Sequence, residues 1–63
     1  MDAKSYFNRG RVHSENGEID LSIADYSKAI ELDSSQHFVF LYRGSLYHQI
    51  KEYDLAINDF LNA

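Results

Sequence analysis

The sequence contains no cysteine, no proline and no tryptophan, and only three glycines among its 63 residues. The lack of cysteine excludes disulfides and carries no information about the compartment. The lack of proline and the scarcity of glycine favour a mostly helical chain with short turns. A chain of this size buries only about 60% of its unfolded surface on folding. Without disulfides or a metal, we expect it to need self-association or a continuation of the chain for stability.

Long apolar runs and an excess of positive charge are also missing. No stretch approaches the ~20 apolar residues of a transmembrane helix or the core of a signal peptide, so we expect a soluble protein, with the cytoplasm as its default compartment. The formal net charge of −4 opposes binding to nucleic acid phosphates. The three histidines lack the spacing of a metal motif, and no strained turn frames a serine nucleophile. We therefore predict no enzymatic activity, no metal site and no cofactor.

One segment of the sequence occurs twice. The pattern of residues 20–30 begins again at Asp54, at an offset of 54 − 20 = 34 residues. Residues 1–29 and 35–63 align without a gap, and a fixed period of this size indicates a repeat architecture. The identical pairs are Arg9/Arg43, Gly10/Gly44, Glu18/Glu52, Asp20/Asp54, Leu21/Leu55, Ile23/Ile57, Asp25/Asp59 and Ala29/Ala63.

Apolar spacing and end signals predict four helices. They run from a cap near Asp2 to about residue 16, over about residues 18–32, from the mid-thirties to about residue 50, and from residue 52 or 53 to 63. Gly17 fits a left-handed helix end, and Lys51 at the equivalent place would carry strain of order 1 kcal/mol. Asp33 and Gln36 have the spacing of a capping box that would open the third helix. Residues 38–42 alone also fit a strand, but the longer window favours helix.

The repeat resembles the tetratricopeptide repeat, a 34-residue helix–turn–helix unit with an aromatic, Leu-Gly, Tyr, Ala, Phe, Pro pattern. The first copy places Tyr6, Gly10, His13, Ser22, Tyr26, Ala29 and Ser34 at the motif positions, and the second copy Phe40, Gly44, Tyr47, Ala56, Phe60 and Ala63. It departs from the motif at Arg9, Arg43, His13, Ser22 and Ser34. The resemblance implies an all-α fold of two stacked antiparallel hairpins, an α-solenoid of four helices. We expect residues 1–34 and 35–63 to form two repeats of one domain, the second truncated at its C-terminus.

Small residues at several motif positions should let the helices of each hairpin approach closely, with Tyr26 and Phe60 filling the space around them. The face of each first helix that packs on a preceding repeat differs between the copies. In the first copy it holds Ser5, Arg9, Val12 and Asn16, and in the second Val39, Arg43, Leu46 and Ile50. Terminal repeats need a polar outer face, so we expect the first copy to be an N-terminal repeat. The second copy stops short of a full 34-residue repeat, which suggests a fragment or an edge hidden by self-association.

The resemblance also implies where a partner binds, because the first helix of each repeat lines the inner wall of the stack. The predicted partner-binding residues are Lys4, Phe7, Asn8, Arg11, Phe38, Leu41, Tyr42, Ser45 and His48. Aromatic and arginine side chains are typical anchors at interfaces. We therefore predict a protein–protein interaction module that docks a peptide or helix of a partner, although Phe7, Phe38 and Leu41 could instead cover the core. Two other functions stay open: self-association through the uncapped C-terminal edge with no other ligand, and RNA binding, against which the acidic charge argues.

Overall fold

The computed structural model describes residues 1–63, and the chain forms four α-helices. They are α1 (Ala3–Glu15), α2 (Ile19–Leu32), α3 (His37–Gln49) and α4 (Tyr53–Asn62). The four predicted helices and the all-α fold are confirmed, and residues 38–42 are helical rather than extended. None of the helices has the combination of length and apolar character that crossing a membrane requires.

Two turns of the same form join α1 to α2 and α3 to α4. Gly17 and Lys51 adopt positive φ angles of 77° and 67° at equivalent places. In each turn the next backbone N–H donates to the carbonyl five residues earlier, at 2.8 Å. This bond is the mark of a Schellman helix end, in which a left-handed residue reverses the chain. The predicted left-handed turns are therefore confirmed, and Lys51 occupies a conformation that costs a residue with a Cβ about 1 kcal/mol.

Helix α1 begins with the predicted cap, but helix α3 does not. The carboxylate of Asp2 accepts a hydrogen bond from the backbone N–H of Ser5 at 2.8 Å. The prediction that Asp33 caps α3 is wrong, because Asp33 ends α2 and accepts bonds from the N–H and hydroxyl of Ser35 at 3.1 and 2.6 Å. This local turn satisfies the carboxylate before the chain reaches α3. Gln36 takes the cap position of α3 without a side-chain bond, and its buried Oε1 has no partner.

The core lies where α3 rests on the first hairpin. Its buried members are Phe7 from α1, Tyr26 and Ala29 from α2, and Val39 and Leu46 from α3. Helix α2 packs on both α1 and α3, and α3 packs on α4, so the order of the helices in space follows the order in sequence. Such local stacking of hairpins buries one continuous core between neighbours.

Close approach within each hairpin depends on a glycine. A Cβ at Gly10 would lie 2.7 Å from ring carbons of Tyr26, and one at Gly44 would lie 2.8 Å from a ring carbon of Phe60. Ser22 is fully buried and donates its hydroxyl hydrogen to the carbonyl oxygen of Gly10 at 2.7 Å. The predicted close packing of small residues is therefore found in both hairpins. It is incomplete in the second, since Phe60 is 41% exposed and Ala63 ends the chain on the surface.

The two faces expected to meet a preceding repeat have different surroundings. On α3, Val39 and Leu46 are buried against the first hairpin, as predicted. Ile50 is 41% exposed, so its predicted packing role is wrong, because it lies one residue beyond the end of the helix. On α1, the polar face is open, and its one apolar member, Val12, is 54% exposed.

Candidate functional site

The predicted partner-binding residues come from two neighbouring helices, α1 and α3. Eight of the nine are exposed to solvent, and they are Lys4, Asn8, Arg11, Phe38, Leu41, Tyr42, Ser45 and His48. We call this surface the α1/α3 face. The ninth residue, Phe7, is 8% exposed and belongs to the core. Phe7 therefore supports the surface from below.

The apolar part of the α1/α3 face is a shallow depression on α3. It has a volume of about 380 Å³ and is lined by Phe38, Leu41, Tyr42 and Ser45. The three large side chains are 47%, 50% and 44% exposed. A cluster of half-exposed aromatic and aliphatic groups around an indentation is the kind of surface that takes an apolar side chain of a partner.

A second depression adjoins the first and is more polar. Its volume is about 230 Å³, and its lining residues are Arg11, Ser14, Glu15, Tyr26 and Tyr42. Tyr42 lines both depressions, so a bound segment can reach both at once. Arg11 takes part in none of the salt bridges of the chain. Its guanidinium is therefore available to a carboxylate of a partner.

Phe7 fixes the aromatic side chains of α3. Its ring lies 5.0 Å from the ring of Phe38 and 5.1 Å from that of Tyr42, both edge to face, and it stacks at 5.5 Å on Tyr26. Such pairs prefer these geometries and separations. Because the buried ring of Phe7 holds both exposed rings, the α1/α3 face is preformed.

Two ion pairs that the sequence did not predict tie the helices of each hairpin together. Arg9 donates two hydrogen bonds to the carboxylate of Asp25 at 2.7 and 2.8 Å, and Arg43 does the same to Asp59 at 2.8 and 2.7 Å. The hydrogen bonds from Arg9 lower the pKa of the Asp25 carboxyl, and the bonds to Asp59 raise the pKa of Arg43. The sequence does contain a pattern from which these ion pairs could have been predicted. In both copies an aspartate follows an arginine by 16 residues.

Arg9 and Arg43 both stand at the position where the motif has leucine. The ion pairs explain why this position holds arginine here. Arg43 lies between α2 and α4, and its Nη1 also donates to the hydroxyl oxygen of Ser27 at 3.0 Å. It further lies 5.7 and 5.6 Å from the ring centres of Phe40 and Tyr47. A guanidinium can make several such contacts at once because its five donors lie in one plane.

The RNA-binding alternative depends on a cluster of three basic residues on α1, which are Lys4, Arg9 and Arg11. Of its three members, Arg9 is bonded to Asp25, which leaves Lys4 and Arg11. A phosphate-binding surface requires several free cations to displace counterions. If the chain bound single-stranded RNA, and bound it more weakly as the salt concentration rose, this alternative would again be supported.

The three histidines lie in three different places. His13 occupies the motif tyrosine position between the helices, with Nδ1 3.0 Å from Glu18 and Nε2 3.6 Å from Asp25. His37 lies in the exposed first turn of α3, and His48 contacts the ring of Tyr53, with the ring centres 5.3 Å apart. No group of three or more histidine, aspartate or glutamate side chains is placed so that it could hold a metal ion.

Comparison with known proteins gives a consistent assignment. The family model described as tetratricopeptide repeat matches residues 3–36, more than half of the chain. The chain is 34% identical over 59 residues to the human (Homo sapiens) protein "DnaJ homolog subfamily C member 7", a match that covers 94% of this chain and 12% of that protein. It is 37% identical over 54 residues to "Protein SGT1 homolog" of rice (Oryza sativa subsp. japonica), which covers 86% of this chain and 15% of that protein.

The chain thus spans less than a sixth of the length of each of these two relatives. No solved structure matches it. Tetratricopeptide repeats generally mediate contacts between proteins and are not catalytic. The matched segment contains the whole first hairpin, with the glycine contact and the buried tyrosine described above. The chain belongs to the tetratricopeptide repeat family.

Proposed function

We propose that this chain docks a segment of a partner protein on its α1/α3 face. The observation that carries the proposal is the pair of adjoining depressions that share Tyr42, one apolar and one beside the free guanidinium of Arg11. Solenoid repeats bind through extended concave surfaces, and an amphipathic helix of a partner binds by laying its apolar face into an apolar groove. The mechanism is passive, because Phe7 already holds the exposed rings in place before a partner arrives.

The chemistry of the two depressions defines the partner segment. The apolar depression accepts one large apolar side chain against Phe38, Leu41 and Tyr42. An acidic side chain close to it in the partner would meet Arg11. Since the chain itself is acidic, such a contact at an isolated arginine is specific in position and weak in long-range attraction.

The test starts from a displayed library of random peptides, selected for binding to the 63-residue chain. Binding of the selected peptide is then measured by calorimetry for Tyr42→Ala and for Arg11→Glu. We expect Tyr42→Ala to weaken binding at least about tenfold, as removal of a central anchor does. Arg11→Glu should weaken an acidic peptide more than the same peptide with its acidic residues made neutral.

The matched control is Leu21→Ala on α2. Leu21 is 51% exposed, comparable to Tyr42 at 44%, but it lies outside both depressions. The control should bind the peptide with unchanged affinity. A selected peptide that loses as much affinity with Leu21→Ala as with Tyr42→Ala, or that responds to neither groove variant, would contradict docking on the α1/α3 face.

A further inference from the structure

The polar side chains of α1 at the α1/α3 face and at its edge have no partners within the chain. We call them the α1 stripe, and they are Lys4, Asn8, Arg11 and Glu15. Their spacing places them on one face of the helix. None of the four takes part in a side-chain hydrogen bond or a salt bridge. The polar groups of the stripe are therefore available to a partner.

The α1/α3 face differs in charge from the rest of the molecule. The chain has ten aspartates and glutamates and six lysines and arginines. The face contains two of these cations, Lys4 and Arg11, and none of the acids. Of the other four cations, three are held in ion pairs within the chain, and they are Arg9, Lys28 and Arg43. An acidic group of a partner therefore meets unpaired cations on this face of an otherwise acidic chain.

Helices α1 and α3 contribute different kinds of side chains to this surface. The α1 stripe is polar throughout, and three of its four members are charged. The depression on α3 is lined by uncharged residues, which are Phe38, Leu41, Tyr42 and Ser45. The one arginine of α3, Arg43, is bonded to Asp59. A segment that lies along both helices must therefore be apolar on one side and charged on the other.

We propose that the partner segment is an amphipathic helix, with its apolar side on α3 and a row of charges along α1. In that row, acidic residues face Lys4 and Arg11, and a basic residue faces Glu15. The inference rests on the proposed docking on the α1/α3 face and adds the conformation and the charge order of the partner. Complementary charges of this kind contribute mainly to specificity, because they fix the register of binding and disfavour wrong partners.

The spacing of the α1 stripe favours a helix over an extended segment. At a rise of about 1.5 Å per residue, Lys4 and Arg11 lie about 10 Å apart along the helix axis, and Glu15 lies about 6 Å further on. An extended segment, at about 3.3 Å per residue, would reach these three charges with residues about three and then two positions apart. Because its side chains alternate between two faces, the first of these residues would point away from the other two. A helix with the same repeat as α1 keeps all three on one face.

The charges of the α1 stripe differ in their surroundings. Arg11 and Glu15 both line the second depression. Lys4 instead borders a cavity of about 450 Å³ whose lining includes Asp2 and Asp33. These two carboxylates compete with a partner for the ammonium group of Lys4. The preference for an acidic residue should therefore be stronger opposite Arg11 than opposite Lys4.

A displayed library of amphipathic helices tests the charge order. The apolar residues are held constant, and three positions with the spacing of Lys4, Arg11 and Glu15, in both chain directions, are each varied among glutamate, glutamine and lysine. After selection on the 63-residue chain, we expect glutamate at the two positions that are seven residues apart and lysine at the third. The residue of the complementary charge should be enriched about fivefold opposite Arg11 and Glu15. The enrichment should fall in high salt, because these charges are exposed.

Two variants of the chain form a matched pair. Glu15→Lys and Glu31→Lys change the net charge equally, and each places a lysine in the last turn of a helix, α1 and α2 respectively. Selection on Glu15→Lys should change the third position of the partner helix from lysine to glutamate. Glu31 lies outside both depressions, so Glu31→Lys should select the same order as the parent chain. Both variants should stay helical by circular dichroism, because lysine is favourable near a helix C-terminus.

The outcomes separate this inference from the docking on which it rests. Selected helices that lose binding in Tyr42→Ala but show no preferred order of charges would overturn the charge order and leave docking on the α1/α3 face intact. The same order selected by Glu15→Lys as by the parent chain, or an equal change with Glu31→Lys, would overturn the pairing with Glu15. If no helix binds while random peptides do, the partner is not a helix. Failure of both libraries would contradict docking itself.

Discussion

The guanidinium of Arg43 donates two parallel hydrogen bonds to the carboxylate of Asp59, from Nε at 2.8 Å and from Nη2 at 2.7 Å. The same arrangement joins Arg9 to Asp25 in the first hairpin. The side chains of Arg43 and Asp59 are 18% and 1% exposed, whereas those of Arg9 and Asp25 are 51% and 8% exposed. One ion pair therefore occurs twice in the chain, in two different environments.

This duplication predicts unequal losses of stability. Arg43→Leu leaves the carboxylate of Asp59 buried without its partner, and we expect a loss of about 3 kcal/mol in the free energy of unfolding. Arg9→Leu should cost clearly less, because solvent already screens the more exposed pair. The double variant Arg43→Leu/Asp59→Leu should recover part of the loss. Urea unfolding of the four proteins measures this, and equal losses at the two arginines would contradict it.

The Arg9–Asp25 pair also predicts how stability depends on pH. The pKa of the Asp25 carboxyl is lowered in the folded chain by its hydrogen bonds to Arg9. Its contribution is therefore fully present above the pKa of an unfolded aspartate, about 3.9, and is lost as the pH falls through the lower folded value. The difference in unfolding free energy between the parent chain and Arg9→Leu should shrink from pH 5 to pH 2. A difference that stays constant over this range would exclude a role for the charge of Asp25.

Alanine at the two helix-packing glycines should have different effects. At Gly10 the new Cβ would lie 2.7 Å from the ring of Tyr26, which is 2% exposed and held by the core. We expect Gly10→Ala to cost about 2–3 kcal/mol, as overpacking of a core does. At Gly44 the new Cβ would lie 2.8 Å from the ring of Phe60, which is 41% exposed and can move, and 3.1 Å from the Cβ of the buried Asp59, which must give way by a few tenths of an ångström.

For Gly44→Ala the gain in helix propensity, about 1 kcal/mol, offsets much of the strain, so the net change should be small. Thermal unfolding of both variants measures the two effects. A larger loss at Gly44 than at Gly10 would contradict this and show that the surroundings of Gly44, the ring of Phe60 and the Cβ of Asp59, do not give way.

Replacing Lys51 by glycine should stabilise the folded chain. Its φ of 67° costs about 1 kcal/mol with a Cβ present and little without one. We expect Lys51→Gly to raise the free energy of unfolding by a few tenths to 1 kcal/mol, and Gly17→Lys, at a φ of 77°, to lower it. Glu52→Gly, one residue further along, serves as the control and should destabilise. Stabilisation by glycine at both positions 51 and 52 would indicate an effect unrelated to the left-handed turn.

Alanine substitutions at Phe7 and Phe38, whose rings are in contact, should distinguish a residue needed for folding from one needed for binding. Phe7→Ala removes a ring that is 8% exposed, and we expect a loss of about 3 kcal/mol or more in stability. Phe38→Ala removes a ring that is 47% exposed, so it should change stability little and weaken the selected peptide. Unfolding curves and peptide binding measured on both variants give the comparison. If Phe38→Ala unfolds the chain as readily as Phe7→Ala, the exposed aromatic patch covers the core rather than binding a partner.

The sequence predicted what depends on near neighbours along the chain. Apolar spacing gave the four helices, Asp2 gave the first cap, and Gly17 with its equivalent Lys51 gave the two left-handed turns. It failed at Asp33, where two local hydrogen-bonding arrangements compete and a carboxylate three residues before a glutamine fits either one. The boundaries of the two repeats and the partner-binding residues stay predictions.

The 34-residue period by itself determined that this chain folds as helical hairpins of the tetratricopeptide type, because turns and helix faces are set by residues a few places apart. Only the tertiary structure decided that Phe7 is buried while its equivalent Leu41 is exposed, and that each arginine reaches an aspartate on the neighbouring helix. Both outcomes depend on which helices pack against each other. The repeats are alike in sequence, but α3 packs on the first hairpin, and the burial of Phe7 follows from that contact.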